Sequence, residues 1–146
     1  WHMEIDEKPE LILSMSAIHH LKPNEKERLC KIAYEMLLPN GWFINIDEMK
    51  GRNETAYRNA MIFWAEYVEK AKDRIPGELR EYYDEWNKYF NRWKKRNIEN
   101  MNVPKVKGDD IHEPFETQLV YLERAGFRNV DLFVKYHLWC VIGGQK

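Results

Sequence analysis

No two of the seven glycines in this chain stand two positions apart. A GxGxG-type turn, the usual backbone cradle for a nucleoside cofactor, is therefore not encoded in these 146 residues. There is also no phosphate loop, no GxSxG and no CxxC, so P-loop, serine-hydrolase and dithiol chemistry have no motif behind them. Cysteine is scarce. Cys30 and Cys140 each sit in an apolar pattern and are expected to be buried free thiols in a reducing compartment, the cytoplasm. Neither sign of charge dominates, and a net charge of −1 argues against a protein that coats nucleic acid over its whole surface. The longest apolar runs fall far short of the ~20 residues that span a bilayer, and no signal peptide is read at the start. What the chain does have is 44 % hydrophobic and 32 % charged residues, the balance of one globular domain with a core. Its aromatic residues concentrate in the middle third. Trp1-His2-Met3 reads as a vector remnant ahead of that domain.

The apolar run Leu11 to Met15 is continuous rather than alternating, which predicts a strand covered on both faces. Pro23-Asn24 opens a helix, with Asn24 as N-cap and Glu25 and Glu27 in the positive first turn. Leu29, Ile32, Ala33, Met36 and Leu37 form its apolar face, and Pro39-Asn40-Gly41 stops it. Trp42 to Ile46 is the next strand and ends in Asp47-Glu48. Strand, helix and strand in this order predict a parallel pair. Residues 52–101 change character. Two amphipathic helices rich in Tyr and Trp, broken at Pro76-Gly77, read as a helical insertion or lid. Val103 to Asp110 is a polar connector. Pro114 and Gly126 bound a further helix. Val130 to Val134 and Tyr136 to Ile142 read as two more strands, the last ended by Gly143-Gly144.

Ligands of open α/β sheets collect at the carboxyl ends of the strands. This places Ser14–His20 and Asp47–Glu48 at the candidate site. Small residues there let a ligand approach the backbone, and His19 and His20 can bind, orient or deprotonate it. They equally suit a loop whose histidines only hydrogen-bond. A metal centre is not expected: His19 and His20 are adjacent, a spacing that does not put two ligands on one helix face, and His112 and His137 are distant in sequence. Basic residues from Lys88 to Lys107, interleaved with aromatics, suit RNA as well as a solvated helix face.

Taken together, the segments Pro9–Leu21, Leu37–Asp47, Glu116–Phe127 and Phe133–Gly144 resemble the C-terminal half of class I S-adenosylmethionine (SAM)-dependent methyltransferases. Asn40 stands where that family commonly has glycine. The resemblance implies an α/β, Rossmann-like half-sheet with strand order 4-5-7-6, the last strand antiparallel, over residues 4–146, with a lid insertion at 52–101. It implies SAM as cofactor, its methionine part near Ser14, Met15, Ser16 and His19. The acceptor, a small molecule or nucleoside, would meet His19, His20 and Asp47 as catalytic candidates and Tyr57, Arg58, Trp64 and Tyr67 from the lid. The family's glycine-rich turn and its acidic ribose ligand have no counterpart after Glu4. The chain alone is therefore expected to be inactive and not to bind SAM by itself. The Leu11–Met15 strand, interior in a complete domain, becomes an edge that invites a homodimer or a partner chain. The rival is a non-catalytic half-Rossmann module that partners another methyltransferase chain.

Overall fold

A computed structural model describes residues 7–106 and 108–146. The expected vector remnant at residues 1–3, and Lys107 of the basic run, lie outside the described residues. Strand β1 (Leu11–Met15), helix α1 (Pro23–Met36) and strand β2 (Trp42–Glu48) follow in that order, and the two strands pair in parallel. Helices α2 (Glu54–Ala71) and α3 (Arg80–Lys94) come next, then α4 (Phe115–Ala125) and the hairpin of β3 (Arg128–Tyr136) and β4 (Trp139–Gln145). The sheet order is β1-β2-β4-β3, with β4 antiparallel to both neighbours. In the family's numbering of strands this is the expected 4-5-7-6.

Local signals account for the element ends. The Glu25 carboxylate accepts the Lys22 backbone N–H at 2.8 Å, so Lys22, not Asn24, caps α1 and Pro23 takes the first helical position. Asn24 fails as a cap because proline is already set for a helical φ. Gly126 ends α4 in the left-handed region at φ 106°. Gly143 and Gly144 do not end the last strand; they lie inside it, opposite Ile44 and Phe43. A Cβ on Gly143 would sit 2.6 Å from both the Ile44 Cδ1 and the Phe43 carbonyl, so the close sheet contact requires glycine there.

The core lies between the sheet and α1 and α4, around Leu37, Phe43, Tyr121, Leu122, Cys140 and Ile142. Both cysteines are buried free thiols, as expected. The insertion builds smaller clusters of its own: Tyr57, Ala60 and Met61 close on Leu138, and Ala65 and Val68 on Phe90. Strand β1 departs from the expected double cover. Ile12 is half-buried, but Leu11, Leu13 and Met15 are 54 %, 59 % and 64 % exposed. Among the described residues nothing pairs with its outer edge, and the sheet face that Leu11, Leu13 and Met15 share is left uncovered. No described helix is long and apolar enough to cross a membrane.

Candidate functional site

A short segment before α4 completes the site, and the sheet holds it there. The Ile111 N–H donates to the His19 carbonyl at 2.7 Å. The Lys50 N–H donates to the Glu113 carbonyl, and the Phe115 N–H returns to the Lys50 carbonyl. This strap, residues 109–114, thus lies across the carboxyl ends of β1 and β2. Its anchor on α1 is Lys26, only 1 % exposed, whose ammonium donates to the Ile111 carbonyl at 2.5 Å and pairs with the Glu113 carboxylate at 3.2 Å. Burial pulls the Lys26 pKa down, against the pull of Glu113. The Tyr121 hydroxyl donates to the other Glu113 oxygen at 2.9 Å.

At the floor of the site is a buried pair. His19 lies in a single 3-10 turn after β1, and Asp47 near the end of β2. The His19 backbone N–H donates to Asp47 Oδ2 at 2.9 Å, and Nδ1 meets Oδ1 at 2.5 Å. The Glu48 N–H adds a third donor to the carboxylate. For His19, burial opposes the charged form, but the hydrogen bond and charge of Asp47, with Asp110 and Glu48 behind it, outweigh this and raise the pKa. For Asp47, burial pushes upward, and the His19 contacts and two backbone N–H groups reverse it, leaving a lowered pKa. Each partner thus favours the charged form of the other, and His19 Nε2 is directed away from Asp47, 3.6 Å from Asp110 Oδ1. His20, on the exposed side, has its pKa lowered by partial burial and by the charge of His19.

The strap adds Asp110 and His112 to this floor. Asp110 Oδ1 lies 3.3 Å from His20 Nδ1 and 3.6 Å from His19 Nε2. Its Oδ2 accepts from Trp93 Nε1 at 2.5 Å and Asn97 Nδ2 at 3.2 Å. Asn97 comes from a wide helical turn, Lys95–Glu99, that continues α3. His112 Nδ1 is 2.7 Å from the Tyr57 hydroxyl, and its Nε2 is 3.2 Å from Glu48 Oε2. Burial and the surrounding carboxylates push the Tyr57 pKa up, which keeps the phenol neutral.

The expected site residues thus separate. His19, His20, Asp47 and Tyr57 meet in one cluster. Ser14 is half-buried, and Met15 and Ser16 are exposed at the open end of β1. The Ser16 N–H is spent on the Ile46 carbonyl, with Ser16 in the left-handed region at φ 51°. Trp64 and Tyr67 stack on each other in the wall of a different cleft, about 260 Å³, closed by Trp139 and by His137 at the hairpin turn. Arg58 is exposed on α2. Asp110, Trp93 and Asn97 are not among the residues expected at the site, and His112 is set aside there as distant in sequence. No local pattern marks them; the sole hint was a His and two Asp together in a connector otherwise rich in lysine. The basic run is largely consumed internally. Lys88 pairs with Glu85, Lys94 with Glu69, Arg96 with Asp109, and Lys105 donates to the Arg96 carbonyl and Asn97 Oδ1.

No protein-family model and no curated protein sequence matches the chain. Solved structures do. The S-adenosylmethionine-dependent methyltransferase SibL, in its apo form, superposes with a TM-score of 0.54 at 15 % identity over 96 % of this chain and 31 % of its own. Human N-acetylserotonin methyltransferase in complex with SAM gives 0.53 at 14 % identity over 95 % and 30 %. PigF with SAH gives 0.54 at 15 % identity over 94 % and 30 %. The chain spans about a third of the length of these structures. It carries the corresponding portion of the methyltransferase fold, and its sheet order agrees with the C-terminal portion.

Proposed function

We propose that the chain is the acceptor side of a SAM-dependent methyltransferase that acts on a small molecule or nucleoside. The observation that carries this reading is the buried His19–Asp47 pair at the carboxyl ends of two parallel strands of a methyltransferase-like sheet. Methyl transfer gains most from alignment of the reacting groups. SAM, when bound, supplies an electrophilic methyl group. This chain's own part is to hold the acceptor. Asp47 fixes the His19 ring by Nδ1 and leaves Nε2 to orient an acceptor hydroxyl or amine or take its proton. The raised basicity of His19 suits that task.

Ser14, Met15 and Ser16 fit the methionine end of the cofactor, because they form an open strand end without a ribose cradle. The rest of the cofactor site would come from another segment, upstream in a longer chain or on a partner chain, pairing along β1. The outer edge of β1, unpaired among the described residues, supports that pairing. Tyr57 lies in the His112 cluster, while Trp64 and Tyr67 would receive the remote part of an acceptor. The lid assignment of residues 52–101 belongs to this reading, and so does a cytoplasmic setting, supported by two buried free thiols. The internal pairing of the basic run disfavours the RNA reading.

Calorimetric titration of this chain alone with SAM should give no heat of binding; micromolar binding contradicts the half-site. A non-catalytic module is distinguished by activity. With the cofactor-bearing segment supplied, transfer to a panel of small acceptors should fall about 100-fold or more in His19→Gln, and an unchanged rate removes His19 from the chemistry. Sedimentation velocity at micromolar concentration should show association that Leu13→Lys suppresses, and a wild-type monomer refutes pairing along β1.

A further inference from the structure

We propose that Glu48, Asp110 and His112 bind one divalent transition-metal ion through mixed imidazole and carboxylate donors. The starting point is a contact that protein atoms alone leave unresolved. Glu48 and His112 are each 7 % exposed, and Glu48 Oε2 and His112 Nε2 stand 3.2 Å apart deep in the site. Neither atom is aligned to hydrogen-bond the other, and neither has another partner among the described residues. Two unpaired polar atoms, more than nine-tenths buried and facing each other, cost stability unless something between them satisfies both. One donor atom each from Glu48, Asp110 and His112 lie within 4.8 Å of one another. A tetrahedral ion with bonds of ~2.0–2.1 Å sets its donors roughly 3.3 Å apart, and the Glu48–His112 separation matches that spacing.

The surroundings are built as ligand supports. Metal-binding histidines usually commit their second ring nitrogen to a fixed partner. His112 Nδ1 has the Tyr57 hydroxyl at 2.7 Å, and with Nδ1–H donating to it, Nε2 carries the lone pair. Asp110 is fixed through Oδ2 by Trp93 and Asn97, which leaves Oδ1 to bind. His20 Nδ1 lies 3.3 Å from that oxygen on the exposed side. Two carboxylates balance a divalent charge. An imidazole among the donors favours a borderline ion such as Zn²⁺ or Co²⁺ over Mg²⁺ or Ca²⁺. The site stands on this geometry and not on the methyltransferase reading.

The test uses the 146-residue chain stripped with a chelator and titrated with Co²⁺ by visible absorption and with Zn²⁺ by calorimetry. The expected result is one ion per chain with a dissociation constant of about 1 µM or tighter. Co²⁺ bands should be of nitrogen–oxygen type, without thiolate charge transfer. His112→Gln and Glu48→Gln should each weaken binding about tenfold or more, while Glu78→Gln, an exposed carboxylate on another turn, should not. Circular dichroism checks that each variant folds; where one does not, the wild-type Co²⁺ spectrum decides. No binding at 100-fold the expected constant, a thiolate band, or unchanged affinity in either folded ligand variant overturns the assignment. Metal binding by a chain that, with the cofactor-bearing segment supplied, supports no methyl transfer would retain this inference and reject only the functional reading.

Discussion

Replacing Lys26 by Met tests whether the strap is held as described. The change keeps most of the aliphatic stem in its buried path and removes the ammonium. The Ile111 carbonyl then loses a 2.5 Å donor, and the Glu113 carboxylate loses its counter-charge, keeping only the Tyr121 hydroxyl. A charge-assisted hydrogen bond contributes about 1.5–3 kcal/mol. Breaking a buried ion pair from one side costs about 3–5 kcal/mol, mainly for the charge left behind. Glu113 retains some solvent access, 13 % for its side chain, so the lower end applies, about 3 kcal/mol. For a chain of this size that corresponds to a fall of about 10 °C in Tm. Urea unfolding followed by tryptophan fluorescence and circular dichroism measures it. The pair should also couple. Glu113→Gln should cost clearly less in the Lys26→Met background than in the wild type, since the charge it removes is already unpaired. A loss below about 1 kcal/mol, or strictly additive costs, would refute the claim that Lys26 ties the strap to α1.

Three further outcomes follow from the packing and the titrating groups. Gly143→Ala should cost more than about 2 kcal/mol in urea unfolding because its Cβ meets the Phe43 carbonyl at 2.6 Å; Gly77→Ala, with open space around it, should be within about 0.5 kcal/mol of wild type. In chelator-treated protein, the raised His19 pKa adds stability that is complete below its unfolded value, about 6.5, and is lost as pH rises through the folded value. The lowered Asp47 pKa adds stability that is complete above about 3.9 and is lost as pH falls through the folded value. The pair should therefore contribute most between about pH 4 and 6.5, and Asp47→Asn should lower the urea midpoint within that window and weaken the fall-off on either side of it; an unchanged pH profile contradicts the ion pair. Burial pushes the Cys30 thiol up to about 12 and raises that of Cys140, so neither should react with a thiol reagent at pH 8 until urea is added; rapid labelling of the native chain would contradict their burial.

Much of the frame was legible in order along the chain. The β1–α1–β2 unit, the break at Pro76-Gly77 and the Gly126 cap are local signals, each set by a few neighbouring residues. So was the placement of His19 and Asp47 at strand ends. The errors were local competitions that a neighbour won. Pro23 displaced Asn24 as the start of the helix. Gly143-Gly144 resembled a stop but served close contact inside a strand.

The site itself was only half legible. Sequence by itself determined the elements, their order and the pair at the strand ends, because periodicity, caps and turns act over a few residues. Tertiary structure alone decided that Asp110 and His112 join that pair, that Tyr57 turns to His112 rather than to the cleft of Trp64, and that β1 exposes its outer face. Lys26 and the Ile111 carbonyl it holds are 85 positions apart, and Tyr57 and His112 are 55 apart. Such contacts carry no spacing rule. They arise when a buried charge must find its partner and the chain has one segment that can supply it.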